Sequence, residues 1–341
     1  MSRTQPTPIA APGAAAPAPP IRRRRWPRRL RWSAALLLLP LALLVWTALR
    51  DPVPRILERR SSLAAVREDP AEVLDGHLVQ SVRVTAASGL AVDLLVKRPL
   101  ADTGGTVARR PLVLLLGGHK TGRDAVGLIP ETQGAVVAAM SYPYHGPHRV
   151  KGLAVVRHVP AIRRAIFDTP PAVLVALDYL LARPDVDTTR VEGVGVSLGA
   201  PFMVIAGALD PRIGRVWSIH GAAGSYGLLE TNLRRAIPAA PPRAAVAGLA
   251  SLLVAGPRMA PERWAPRIAP RPFVMVNATH DVQMPRPLVE SLYASAVEPK
   301  SMIWIPGGHV RSRPEIVRPL IDTVLGRMEL ESQEQELGTR N

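Results

Sequence analysis

The feature that most restricts this chain is a seam at residue 197. Arg190-Val191-Glu192-Gly193-Val194-Gly195-Val196 reads as a strand and runs directly into Ser197-Leu198-Gly199, after which apolar residues at helical spacing continue to Leu209. A chain that passes from strand to helix within one or two residues must turn sharply, and Gly195 and Gly199 remove the side chains that would obstruct it. Such a junction belongs to a mostly parallel sheet in which strands alternate with helices. The pentapeptide alone carries little, because a chain with 26 Gly can contain it by chance. Its place between a strand and a helix gives it weight.

The rest of the body keeps the same rhythm. Val82–Ala86 and Leu90–Val96 read as a hairpin around Ala87-Ser88-Gly89. Pro111–Leu116 and Ala135–Met140 are solid apolar runs, as expected of strands buried on both faces. A helix is expected from Pro171 to Ala182, with Pro184 beyond its end. Arg215–Ile219, Phe273–Val276 and Met302–Ile305 complete the strands, and helical spacing returns at Pro314–Met328. Between Ile219 and Pro270 the alternation stops, with helix-like pieces near Gly227–Ile237 and Ala244–Ala255. We expect residues 77–329 to form one α/β domain with helices on both faces of the sheet. Residues 220–270 would be a small helical cap insertion over the strands' carboxyl ends, the competing reading being an ordinary crossover with a long loop. Aromatics are only 4% of the chain, so Val, Leu and Ala must supply most of the core.

A serine exposed on such a turn is a candidate nucleophile, and a serine hydroxyl needs a base that a carboxylate orients. Of the eight histidines, His309 follows the last strand in Pro306-Gly307-Gly308-His309. Asp281 follows the preceding strand by a few residues, so Ser197, Asp281 and His309 are the expected triad. Asp210 is the rival acid but reads as a helix-end residue before Pro211. Donors for a developing oxyanion are expected at the backbone N–H of Leu198 and, in Gly117-Gly118-His119-Lys120, at that of His119. Gly118, Tyr142, Tyr144 and His145 are candidate substrate-binding residues, since they too follow strand ends. His119, His145 and His148 have no carboxylate at ligand spacing, so neither a metal nor a cofactor is expected. The chain has no Cys, which excludes disulfides, a thiolate nucleophile and Cys-ligated metals.

The net charge of +16 sits mostly at the front: residues 1–60 hold 12 Arg against two acids, Asp51 and Glu58. The remainder is only mildly basic and carries no nucleic-acid-binding motif, so no nucleic acid partner is expected. Residues 1–32 combine a Pro/Ala-rich stretch with an Arg cluster and are expected to be a disordered cytoplasmic tail. The uncharged run 33–49, with Trp32 and Trp46 near its ends, is expected to be a single-pass signal anchor. The catalytic domain would then be extracytoplasmic, which in a Gram-negative cell means periplasmic. A cleaved signal peptide and a buried core helix are the competing readings. Residues 50–76 are expected to be a linker and 330–341 a polar tail. The oligomeric state is left open.

With these residues in place, the chain from roughly Val82 to Met328 resembles the α/β-hydrolase superfamily. The nearest branch holds dienelactone hydrolases, acetyl xylan esterases and prolyl-oligopeptidase-type catalytic domains. The resemblance rests on the hairpin before Gly117-Gly118, on Arg183-Pro184-Asp185-Val186-Asp187 leading into Arg190–Gly199, on Asp281 with Pro285, and on Gly308-His309. It implies that Ser197, Asp281 and His309 form the triad of an enzyme cleaving a small-molecule carboxylic ester. Two departures stand out: Gly117-Gly118 replaces the usual His-Gly of the oxyanion loop, and Ala200 follows Gly199 where a second Gly is common. No β-propeller precedes the body, which argues against a peptidase. A non-catalytic binding module of the same fold and an acyltransferase using the same triad are the alternatives.

Overall fold

Apolar runs without alternation suit strands covered on both sides, because successive side chains point to opposite faces. The runs divide in that way: Leu112, Leu114 and Leu116 join one apolar layer, while Val113 and Leu115 join another. Val136, Ala138 and Met140 separate from Val137 and Ala139 in the same manner.

The computed structural model describes residues 39, 42–100, 108–118, 120–147, 152, 154–254, 256–310 and 317–327. Met1–Leu43 and Leu44–Asn341 are separate units, and the fold described is that of the second. In chain order its elements are α1 (Val53–Arg60), β1 (Leu63–Glu68), β2 (Glu72–Leu74), β3 (His77–Ala86), β4 (Ala91–Pro99) and β5 (Arg110–Leu116). After a 3₁₀ turn at Gly122–Leu128 come β6 (Val136–Met140), α2 (Ala154–Leu181), β7 (Val186–Val196), α3 (Gly199–Leu209) and β8 (Arg215–Ile219). Then follow α4 (Ser225–Asn232), α5 (Ala240–Leu253), α6 (Gly256–Met259), β9 (Phe273–Ala278), α7 (Arg286–Ser295) and β10 (Lys300–Ile305). Residues 317–327 are helical.

One sheet runs in the order β1-β3-β4-β6-β5-β7-β8-β9-β10, with β2 paired to β3. Pairing is antiparallel from β1 through β3 and β4 to β6, and parallel from β6 to β10. The parallel half brings the carboxyl ends of β5, β7, β8, β9 and β10 to one edge, where α/β sheets place their sites. One face packs on α1, α2, α3 and α7 through Ile56, Leu174, Phe202 and Leu292. The other is covered by the 3₁₀ turn through Ala125 and Val126 and by helix 317–327 through Leu320, Ile321 and Val324.

Two segments differ from expectation. Residues 50–76 are not a linker: α1 buries Ile56 completely in the first layer, and β1 pairs with β3 to form the sheet's edge. Ion pairs fix α1 to α2, with Arg59 bidentate on the buried Asp168 at 3.1 and 3.0 Å and Arg60 on Asp178 at 2.9 and 2.7 Å. These pairs join positions more than a hundred residues apart, which is why a local reading misses them. The helix expected from Pro171 begins at Ala154 and carries Pro160, Pro170 and Pro171 inside it. Each proline removes a backbone donor, but the buried run from Phe167 to Leu177 outweighs that local cost. Thr169 Oγ1 also donates back to Ala165 O at 2.7 Å. Residues 220–270 do carry helices, and much of the segment packs down: Met259, Trp264 and Ile268 belong to the first layer with α3 and α7.

Residues 33–38, 40 and 41 of the expected anchor, together with residues 1–32 and 330–341, lie outside the described residues, and 42–49 are helical. No helix among the described residues is long and apolar enough to cross a membrane.

Candidate active site

The turn after β7 explains both glycines. A Cβ on Gly199 would stand 2.0 Å from the Leu116 carbonyl oxygen, and one on Gly195 would stand 2.7 Å from Ala200 Cα and Gly199 O. Between them Ser197 takes φ +54°, a left-handed conformation that costs a non-glycine residue about 1–2 kcal/mol. Its N–H donates to Ile219 O at 2.8 Å, tying the turn to the end of β8, while Ala200 N–H returns to Ser197 O at 3.1 Å. The hydroxyl therefore projects past the sheet's carboxyl edge.

Ser197 Oγ lies 2.8 Å from His309 Nε2. His309 arrives on the loop after β10, where Gly307 has φ +111° and accepts the His280 N–H at 2.8 Å. His309 Nδ1 is 2.7 Å from Asp281 Oδ2. Asp281 Oδ1 accepts two backbone N–H groups, from Gln283 at 2.9 Å and Met284 at 3.1 Å. Burial alone would push this carboxyl's pKa up, but hydrogen bonds from His220 and His309 outweigh it and hold the pKa well below the usual range. An ionised Asp281 can only accept, so His309 carries its hydrogen on Nδ1 and presents a free lone pair on Nε2 to the serine hydroxyl. The sheet brings Ser197, Asp281 and His309 into one hydrogen-bonded line.

His220 is the site residue that the sequence reading missed. It follows β8 directly, has φ +49°, and is 1% exposed. Its N–H donates to Val276 O at 2.7 Å, and its Nδ1 stands 2.9 Å from the same Asp281 Oδ2. Its ring meets that of His309 edge to face, with centroids 5.1 Å apart. The available signal was position: His220 sits at a strand's carboxyl end, as Ser197 does, one residue past a run read only as a strand.

No protein-family model and no curated protein matches this chain. Solved structures do. Acetyl xylan esterase 1 from a Thermoanaerobacterium species is 16% identical, covers 81% of this chain and 91% of its own, and superposes with a TM-score of 0.60. An acetyl xylan esterase from a Paenibacillus species is 17% identical over 81% and 91%, with a TM-score of 0.55. A cold-adapted esterase from an Arctic intertidal metagenomic library is 16% identical over 79% and 99%, with a TM-score of 0.52. The chain has the α/β-hydrolase fold.

In this α/β-hydrolase fold, Leu198 precedes the helix that follows the Ser197 turn, so its backbone N–H lies at a helix N-terminus. Gly118 borders a cavity that Ser197 also lines. His119 and His148 lie outside the described residues. Tyr142 is tied to the loop after β5 and does not line the cavity: its hydroxyl donates to Gly117 O at 2.6 Å, and its ring meets Phe202 edge-on at 6.2 Å. Burial raises the pKa of that phenol far above its ordinary value, so it stays a donor. Tyr144 turns its hydroxyl to Pro147 O at 3.4 Å and His145 is exposed; neither lines the cavity. Asp210 is a structural acid, held by Arg212 at 2.9 and 2.6 Å and by Arg60 at 3.2 Å. His220, Asp281 and His309 are the one grouping of His, Asp or Glu among the described residues that converges closely enough to suggest a metal. Both Nδ1 atoms there are committed to the carboxylate and His309 Nε2 to the serine.

Proposed function

We propose that the protein is a serine hydrolase that cleaves a carboxylic ester of a small molecule through an acyl-enzyme on Ser197. The observation that carries this reading is the unbroken line from Ser197 Oγ through His309 to Asp281, at 2.8 and 2.7 Å, on a strained strand-to-helix turn. The esterases of the same fold support it. Ser197 Oγ attacks the ester carbonyl as its proton passes to His309 Nε2, and Asp281 stabilises the imidazolium that forms. The negative oxygen of the tetrahedral intermediate is taken up by the backbone N–H of Leu198 and, assigned from sequence order, that of His119; each such donor is worth about a hundredfold or more in rate. Collapse breaks the bond to the leaving alcohol, which takes the proton from His309. Water, deprotonated by the same imidazole, then releases the acid and restores Ser197. A fluorophosphonate probe should label the wild type and fail to label Ser197→Ala; labelling that survives the substitution would overturn the assignment.

We also propose that residues 33–49 anchor the chain in a membrane, with the Arg-rich tail cytoplasmic and the catalytic domain on the opposite side. The support is the Arg cluster at 22–31 placed directly before an uncharged run. Full-length protein should then stay in the membrane pellet through an alkaline carbonate wash. Its release by the wash would overturn the anchor.

A further inference from the structure

We propose that the cavity beside Ser197 is an acyl pocket for unbranched aliphatic chains of roughly four to eight carbons, and that helix 317–327 sets the length it accepts. The inference rests on the serine-hydrolase reading and adds the substrate class.

The cavity has a volume of about 100 Å³. On this scale a water-sized group occupies about 10–15 Å³, so the space suits a chain of several carbons and is larger than an acetyl group needs. Its floor is the ends of three parallel strands, Leu115 of β5, Val196 of β7 and Ile219 of β8. One wall is the 3₁₀ turn, through Ala125 and Leu128; the other is Val317, Leu320 and Ile321 on one face of helix 317–327. Ser197, Gly117 and Gly118 also line it, so the nucleophile and the oxyanion loop border the same space. Among the described residues no charged side chain lines it, and its second hydroxyl, Thr121 Oγ1, donates to Gly118 O at 2.9 Å. A carboxylate, an ammonium or a sugar placed against Leu115, Leu128, Val317 and Leu320 would lose water that these apolar side chains do not replace.

The pocket belongs to the second apolar layer. Deeper along the same helix, Val324 and Leu325 are buried in that layer against the sheet, so Val317 and Leu320 are held at a fixed height over the strand ends. No described residue of 220–270, the segment where a cap would act, lines it. Chain-length selection is therefore built into the fold's C-terminal helix.

The test is kcat/KM of full-length protein on p-nitrophenyl acetate, butyrate, hexanoate, octanoate and laurate. Each added methylene should raise kcat/KM about fourfold until the pocket is full, with a fall by laurate. Val317→Phe should lower the hexanoate-to-acetate ratio about tenfold, and Leu320→Ala should move the optimum to longer chains. Leu249→Phe, on the exposed face of α5, should leave the ratio as in the wild type. A flat profile, or a ratio that responds to Leu249→Phe and not to Val317→Phe, overturns the pocket while fluorophosphonate labelling of Ser197 upholds the hydrolase reading. Absence of Ser197-dependent labelling overturns that reading and the pocket with it.

Discussion

His220 and His309 converge on one atom, each directing Nδ1 at Oδ2 of Asp281, at 2.9 and 2.7 Å. An ionised carboxylate oxygen has lone pairs for both, so neither bond displaces the other. The second donor fixes the carboxylate from the buried side and draws off part of its charge. His220 does not touch the serine's partner nitrogen, and we assign it a positioning role. His220→Ala should lower kcat about tenfold, the size of one lost hydrogen bond to a charged group. His220→Asn keeps an N–H near the position of Nδ1 and should restore kcat, with KM nearly unchanged in both variants. Equal losses of kcat in the two variants would mean that the ring serves only as packing.

Gly199 admits no side chain, since its Cβ would meet a backbone carbonyl that cannot rotate away. Gly199→Ala should therefore displace either the turn or β5, at a cost of about 3 kcal/mol or more. Thermal denaturation should show a drop of many degrees beside a Ser197→Ala control, which removes the hydroxyl without adding bulk. An unchanged midpoint would show that the turn is looser than its 2.0 Å approach implies.

What the sequence revealed and what it withheld follow one physical line. The parallel strands were legible because burial on both faces leaves solid apolar runs, and Ser197, Asp281 and His309 because each follows such a run. α1 and β1 were hidden because their stability comes from partners far along the chain, Asp168, Asp178 and β3. The first half of α2 was hidden because its prolines argue locally for a break that burial overrides. Tyr142 was found, but its role depends on a bond to Gly117 that closes 25 residues of chain and leaves no periodic trace. His220 holds the same position after β8 that Ser197 holds after β7, so its place at a strand's carboxyl end was its one trace in the sequence.

Asp281 also ties stability to pH. Its folded pKa is depressed by its histidine and backbone donors, so its ionised form favours the folded state. That contribution is fully present above the ordinary carboxylate value of about 4 and is lost as the pH falls from there toward the lower folded value. In urea titrations, wild type should exceed Asp281→Asn in midpoint at pH 7, and the gap should narrow progressively as the pH falls below about 4. A gap that stays constant across the acid range would mean that the depressed pKa contributes nothing to folding.

Tyr142 offers a way to separate loop support from fold support. Its hydroxyl gives the Gly117 carbonyl a donor at 2.6 Å, directly before the residues expected to hold an oxyanion. Tyr142→Phe keeps the ring contact with Phe202 and removes only that donor, at a cost of about 1–3 kcal/mol for a buried acceptor left without its partner. If the bond's purpose is to hold the loop's N–H groups where charge develops, the loss should fall on kcat, by about tenfold, and leave KM nearly unchanged. A lower melting temperature with unaltered kcat would assign the hydroxyl to stability alone. The kcat effect is the expected result, because Gly117 and Gly118 border the same cavity as Ser197, so a shift of that loop moves groups at the reacting centre.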